Sequence, residues 1–293
     1  MPRSLRSLAM TTIMVFTKAV GSGNDFIIID NRSEKISNPA ETARDLCRRH
    51  MSIGADGILL LEQATLKGSP TNSEAKASHY NNSDRTEYRM RIFNPDGSEA
   101  EMCGNGLRCF LLYLVQKGLS EAERFIAVET KAGLRRGKVK GNFVTASLGE
   151  PENPALSFPL EIDGKQFTAG FVNTGVPHTI IQVPDLANFP VKELGRKVRF
   201  HPRFAPAGTN VDFVEIKDDF VLIRTYERGV ENETLSCGTG TAAAGFILRQ
   251  LGKIELPVKV RAASGEILTV SEQDNEIFLA GEVRIVYEGV LSD

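Results

Sequence analysis

The chain has 293 residues, 41% apolar and 25% charged, with a formal net charge of −2 at pH 7. This is the make-up of a soluble globular protein, and the near-zero charge gives no support for binding nucleic acid or an acidic membrane. No apolar run reaches the eighteen or so residues of a membrane span. The four cysteines, Cys47, Cys103, Cys109 and Cys237, form neither a dense disulfide framework nor a paired zinc pattern, so a reduced, cytoplasmic protein without a bound metal is expected.

Residues 1–13 carry Arg3 and Arg6 and no acid, and they lack the continuous apolar stretch of a secretory signal. They are expected to be a disordered extension, with an organelle-targeting fragment as the less favoured reading. V-F-T-K-A-V at 15–20 and F-I-I-I-D at 26–30 read as strands around the turn G-S-G-N-D. The stretch from Asn38 to Met51 reads as a helix, with Asn38 as N-cap and Pro39 in the first turn. Gly54–Gly57 then turns into the strand I-L-L-L. Residues 63–87 are polar and without period, which predicts a surface excursion or a disordered loop. Y-R-M-R-I-F alternates as a strand does, and N-P-D-G is a strong turn signal. A helix is predicted from Cys103 to Lys117, closed by Gly118.

Short β-like runs follow, and then G-E-P-E-N-P-A at 149–155, whose prolines mark the candidate boundary between two domains. Beyond it the theme repeats. F-T-A-G-F-V-N-T-G-V-P-H-T-I-I-Q-V is again strand, turn, strand, N-V-D-F-V-E-I and F-V-L-I-R-T-Y are strands, and Cys237 to Leu251 is a helix closed by Gly252. G-N-D-F-I-I-I in the first half matches G-V-P-H-T-I-I in the second, and each half reaches a Cys-Gly-x-Gly turn that opens a helix. The sequence therefore reads as a duplicated unit, each copy a β-sheet wrapped on one central helix.

The two cysteine turns carry the chemical signal. A helix N-terminus offers unpaired N–H groups and a partial positive charge, and glycine lets a ligand approach the backbone. Each turn is thus an anion seat with a thiol beside it, and the helix field is expected to lower that thiol's pKa. One such turn is weak evidence, because plain tight turns look the same. Two at matched positions suggest a shared site, where one thiolate removes a proton from a carbon and the other thiol returns one to the opposite face. A non-catalytic binding protein, using the helix ends as seats, is the competing reading. Cys109 and Cys47 read as core, and His50, His79 and His201 as structural or solvated. His178 is open between a core histidine and a functional one, and Asn24, Asn94 and Asn210 sit in turns where asparagine is common for backbone reasons.

The stretches G-S-G-N-D-F, G-A-D-G, F-N-P-D-G-S-E-A-E-M-C-G-N-G-L-R-C, T-G-V-P-H, G-T-N-V-D-F-V and Y-E-R-G-V-E-N-E-T-L-S-C-G-T-G resemble the diaminopimelate epimerase family, in order, from residue 14 to the C-terminus. The resemblance implies an enzyme that interconverts LL- and meso-diaminopimelate for lysine and peptidoglycan synthesis, without pyridoxal phosphate, other cofactor or metal. The expected fold is α/β (α+β), with residues 14–148 plus 283–293 forming one pseudo-symmetric half and 149–282 the other, and the site in the cleft between them. The resemblance implies Cys103 and Cys237 as the acid/base pair, with His178 near Cys103 and Glu227 near Cys237. It implies that Asn24, Asn94, Asn210, Glu227 and Arg228 hold the substrate's amino and carboxylate groups. Gly104, Asn105, Gly238 and Thr239 would give helix N–H groups to the α-carboxylate, and Arg228 suits a distal carboxylate through its bidentate fork. A homodimer that takes a small amino acid is expected. Many family members have Asn where this chain has Val176, and Asn173 is a candidate replacement; some have Gln at the position of Gly57.

Overall fold

The computed structural model describes residues 14–65 and 86–291. Residues 1–13, His79 and all but the ends of the 63–87 excursion lie outside the described residues. The first half runs β1 (Met14–Gly21), β2 (Asn24–Asp30), α1 (Pro39–Leu46), β3 (Gly57–Gln63), β4 (Tyr88–Phe93), β5 (Glu99–Ala100), α2 (Gly104–Gln116), β6 (Ile126–Thr130), β7 (Gly133–Lys140) and β8 (Phe143–Ser147). The second runs β9 (Glu152–Ile162), β10 (Lys165–Asn173), β11 (Pro177–Gln182), α3 (Val191–Arg199), β12 (Asn210–Ile216), β13 (Phe220–Glu227), β14 (Asn232–Thr234), α4 (Gly238–Gln250), β15 (Val258–Arg261), β16 (Ile267–Gln273) and β17 (Glu276–Leu291).

The pairing pattern is duplicated strand for strand. β1–β2 and β10–β11 are antiparallel, β2–β3 and β11–β12 parallel, and β3–β4 and β12–β13 antiparallel. β4–β6 and β13–β15 are again parallel, and β6–β7 and β15–β16 antiparallel. Each parallel step carries its crossover helix, α1 and α3 in the first pair of steps and α2 and α4 in the second, as parallel neighbours require. In the first half β8 pairs with β17 and β17 with β1, which closes the strands into a barrel. In the second, β16 also pairs with β17, whose residues Phe278–Ala280 therefore serve both halves.

A barrel closed on a helix must bury that helix on every side. α2 is buried from Gly104 through Leu114, and α4 from Gly238 through Leu248. Leu107, Phe110, Leu111 and Leu114 are sealed in one core with Ala242, Ala243 and Leu248, each larger side chain contributing about 1.5–3 kcal/mol. Two smaller cores lie under α1 and α3.

Most local expectations hold, with three differences. The first helix stops at Leu46 instead of running on to Met51, although Asn38 does accept from the Glu41 N–H at 3.3 Å and Pro39 opens it. The Pro-rich boundary at 149–155 becomes the start of a long strand from Glu152. Its prolines are tolerated because, among the described residues, β9 pairs on one side only, with β10. The helix α3 had no signal strong enough to be read.

Candidate active site

Cys103 and Cys237 are the N-cap residues of α2 and α4, both extended, with φ −145° and −125°. A methyl group on Gly238 would lie 2.9 Å from the Asn105 side-chain oxygen and 3.3 Å from its backbone nitrogen. The two helix starts therefore abut, and the duplicated thiol turns meet at one place. Cys103 is half-buried and Cys237 buried.

Behind the α2 turn lies a chain of polar side chains. Arg108 is completely buried and donates to Asn105 Oδ1 and Ser22 Oγ, both at 2.7 Å, and to the Glu282 carbonyl at 3.4 Å. Asn105 in turn donates to Asn24 Oδ1 at 2.7 Å, and Asn24 to Asp56 Oδ2 at 3.1 Å. Among the described residues no carboxylate forms an ion pair with Arg108, and burial pulls its pKa below the ordinary range. Arg108 and Ser22 were not picked out from the sequence. A helix arginine is written the same way whether it is solvated or buried, and only the closed barrel shows that this one points inward.

Behind the α4 turn the groups are different. His178 is fully buried; its Nδ1 is 2.7 Å from Asp212 Oδ2 and its Nε2 2.9 Å from Thr239 Oγ1. Thr239 Oγ1 is 3.4 Å from Cys237 Sγ. The hydrogen bonds of His178 thus lead toward Cys237, and among the described residues none runs to Cys103. Asp212 was missed because an aspartate inside a β-alternation reads as a solvent-facing residue.

Glu227, at the end of β13, acts on both thiols. Its own pKa is raised, first by burial and then by Asp212 and Asp56, against the Thr234 hydroxyl and His178. Burial pushes the Cys103 thiol up to about 11, with Glu227 adding and the Gly106 and Asn105 N–H groups opposing. Cys237 is raised well above its ordinary value by burial, Glu227 and Asp212, against Thr239 and the Gly240 N–H. This corrects the expectation of depressed thiol pKa values: desolvation and a carboxyl group outweigh the helix ends.

The remaining residues take these places. Asn210 accepts from the Arg228 backbone N–H at 2.8 Å and donates to the Pro177 carbonyl at 3.1 Å, so it ties β12 to the turn carrying Arg228 and to the start of β11, where His178 lies. Arg228 is half-buried, with one guanidinium nitrogen 3.4 Å from the Ala207 carbonyl. Asn94 bonds the backbone and hydroxyl of Ser98 within its turn. Asn173 follows Ala169 and Phe171 along β10, on the face packed toward α3, whereas Gly170 and Val172 face the core of α4. Cys109 is core, its thiol pushed up to about 12 by burial. A cavity of about 640 Å³ lined by Asp30, Arg32, Tyr113 and Lys117 lies at the far end of α2, away from both thiols. Among the described residues there is no group of three or more His, Cys, Asp or Glu that could hold a metal, and no helix is long and apolar enough to cross a membrane.

The family model for diaminopimelate epimerase matches residues 16–153 and 170–286. A diaminopimelate epimerase of Aquifex aeolicus is 39% identical, over 96% of this chain and 98% of that one. One of Archaeoglobus fulgidus is 38% identical, over 95% and 96%. Among solved structures, a hydroxyproline epimerase from Agrobacterium vitis superposes with a TM-score of 0.69 at 16% identity, covering 97% of this chain and 94% of that one. A phenazine biosynthesis protein of the PhzF family from Bacillus anthracis gives 0.67 at 16%, covering 96% and 99%. At that identity these two show a shared fold.

Proposed function

This chain belongs to the diaminopimelate epimerase family, an isomerase family with a small-molecule substrate, and from that premise we propose that it epimerises LL-2,6-diaminopimelate to the meso form by a two-thiol mechanism. The observation that carries the reading is the meeting of two N-cap cysteines at abutting helix starts. A carboxylate seated on the N–H groups of Gly104, Asn105, Gly238 and Thr239 leaves its α-carbon between the thiols. One cysteine, as thiolate, takes the α-proton; the other, as thiol, gives its proton to the opposite face. One S–H bond forms, one breaks, and the stereocentre inverts with no change of oxidation state.

The magnitudes say what must contribute. Each helix N-terminus stabilises the carboxylate by about 0.3–1 kcal/mol, up to about 2 when partly buried. A positioned acid or base adds on the order of 10²- to 10⁴-fold in rate. These are insufficient for so weak a carbon acid, so orientation and a water-free site must supply the rest. Glu227, whose charge raises both thiols, is the natural neighbour for the substrate's ammonium group, and that cation would draw the thiol pKa values down. Asn24, Asn94 and Asn210 hold the polar groups, and Arg228 takes the distal carboxylate. The halves 14–148 plus 283–293 and 149–282 close on the substrate; small-angle scattering unchanged by a tight analogue would refute the closure.

We place the reaction in the cytoplasm, in lysine and peptidoglycan precursor synthesis, where the free thiols persist. We also propose a homodimer, supported by the exposed apolar pair Val15 and Val290, directly opposite each other on the paired β1 and β17. Analytical ultracentrifugation of Val290→Asp should show a monomer where the parent chain is dimeric.

The test of the reaction is proton exchange. Reduced protein is incubated with LL-diaminopimelate in deuterium oxide, with NMR following the α-hydrogen and chiral chromatography the isomers. Deuterium entry with inversion, absent from Cys103→Ser and Cys237→Ser, is expected. A ligand that binds without exchange would favour the binding-protein reading.

A further inference from the structure

Asp212 has no part in the reaction described so far, and the fold encloses it completely. It lies within β12, between β11 and β13, with no exposed surface. Among the described residues no Lys or Arg pairs with it; Oδ1 accepts from Thr225 Oγ1 at 2.7 Å, and Oδ2 faces His178 Nδ1 at 2.7 Å. A buried carboxylate needs compensation, and His178 is the group placed to give it. The α4 turn rests directly on this pair. A methyl group on Gly240 would lie 2.2 Å from Asp212 Oδ1 and 3.2 Å from His178 Cε1. Thr239, on the same turn, is held by its carbonyl, which accepts from Thr174 Oγ1 at 3.0 Å.

The direction of the hydrogen bonds follows from one fact. A carboxylate only accepts, so the proton between Asp212 and His178 belongs to Nδ1. In the neutral imidazole Nε2 is then the acceptor and Thr239 must donate to it. The Thr239 oxygen, its own proton committed, is left to accept from the Cys237 thiol at 3.4 Å. We propose that Asp212 is a positioning residue that fixes the tautomer of His178 and makes Thr239 a proton conduit between Cys237 and the imidazole.

The transfer balances within the chain. The Cys237 S–H proton passes to the Thr239 oxygen as the Thr239 proton passes to His178 Nε2. The S–H and O–H bonds break while an O–H and an N–H form, leaving a thiolate at Cys237 and an imidazolium against the Asp212 carboxylate. Reversal restores the thiol. Asp212 plays the part of the aspartate that orients histidine in a serine-hydrolase triad. Among the described residues Cys103 has no such chain; its sulfur accepts from the Gly106 N–H at 3.3 Å. His178 therefore serves Cys237, and the two thiols are ionised by different means. The charged or titratable groups facing this path are Asp212 from β12 and Glu227 from β13.

This inference rests on Cys237 being an acid/base group, and its test needs no substrate. Folded protein is treated with iodoacetamide at pH 8, and the alkylation rates of Cys237 and Cys103 are read separately by peptide mass spectrometry. Asp212→Asn puts an amide donor against Nδ1, reverses the chain and turns Thr239 into a donor to sulfur. Thr239→Val breaks the conduit and Thr239→Ser rebuilds it. Without the path to the proton sink the thiolate fraction falls, so Cys237 alkylation should drop about tenfold, one pKa unit, in Thr239→Val, whereas Asp212→Asn, which removes a carboxylate that raises this thiol, is read by the tautomer of His178. Cys103 should stay within about twofold, and Thr239→Ser should recover the parent rate. Nitrogen-15 NMR of His178 should show the proton on Nδ1 in the parent and on Nε2 in Asp212→Asn. Unchanged Cys237 rates in Thr239→Val, or equal losses at both cysteines, would overturn the conduit, and Thr239→Val decides alone if Asp212→Asn does not fold. A Cys237-selective loss in protein that fails to exchange diaminopimelate would sustain the conduit and defeat the proposed substrate.

Discussion

The two cysteine turns occupy equivalent places in a duplicated fold, yet what lies behind them is opposite in charge. The α2 turn is backed by a buried guanidinium, Arg108, acting through Asn105. The α4 turn is backed by a buried carboxylate, Asp212, acting through His178 and Thr239. Duplication thus supplies position, and the groups behind each turn supply role. The cation side is suited to hold a carboxylate, and the anion side to manage a proton.

The largest effect should come from the thiols: Cys103→Ser or Cys237→Ser should cut isotope exchange by on the order of 10²- to 10⁴-fold. Equal residual rates at both would fit a symmetric pair, and a clear difference would extend the asymmetry to turnover. Next come Gly106 and Gly240, each the third residue past its cysteine. A methyl group at 106 meets Leu59, Cys103 and Phe26 at 3.3 Å or more, whereas one at 240 meets Asp212 Oδ1 at 2.2 Å. Gly240→Ala should cost about 3 kcal/mol or more, as overpacking does, while Gly106→Ala should lie within about 1 kcal/mol of the parent, since alanine favours the helix. Urea titration of both variants decides it, and similar costs would break the comparison.

Arg108→Met should affect stability little, within about 1–2 kcal/mol. Removing a buried cation that has no carboxylate partner among the described residues relieves desolvation and offsets the hydrogen bonds lost to Asn105 and Ser22. Activity should fall at least about tenfold, the worth of one charge-assisted hydrogen bond, mostly in KM if the guanidinium braces the carboxylate seat. A large loss of Tm with normal kinetics would make Arg108 structural. The smallest effect is alkaline. Burial raises the Cys47 and Cys103 thiols to about 11 and Cys109 to about 12, so the folded state holds protons that the unfolded chain releases near pH 9. Stability is complete below that pH and falls as pH rises toward 11–12. Cys109→Ala should flatten the decline of Tm above pH 9.

How much of this was legible in the sequence depended on range. Gly118 and Gly252, at φ +68° and +66°, close both helices where they were read, because a left-handed residue after a helix is a local demand. The duplication was legible because matched motifs recur in order. α3 was not: its N-cap is Pro190, which offers no side-chain cap, and Gly195 interrupts its middle. That glycine is there because a methyl group would lie 2.4 Å from Tyr226 Cβ on β13, a constraint set by packing across the sheet.

The sequence by itself determined the two thiol turns, the repeat and the family, since each is written in contiguous residues whose chemistry is local. Only the tertiary structure decided that Arg108 and Asp212 are buried, that His178 is joined to Thr239 and that the thiol pKa values rise. Those properties depend on which residues distant in the chain exclude water from one another. A charged side chain in a helix or strand looks the same in sequence whether it meets solvent or the closed interior of a barrel.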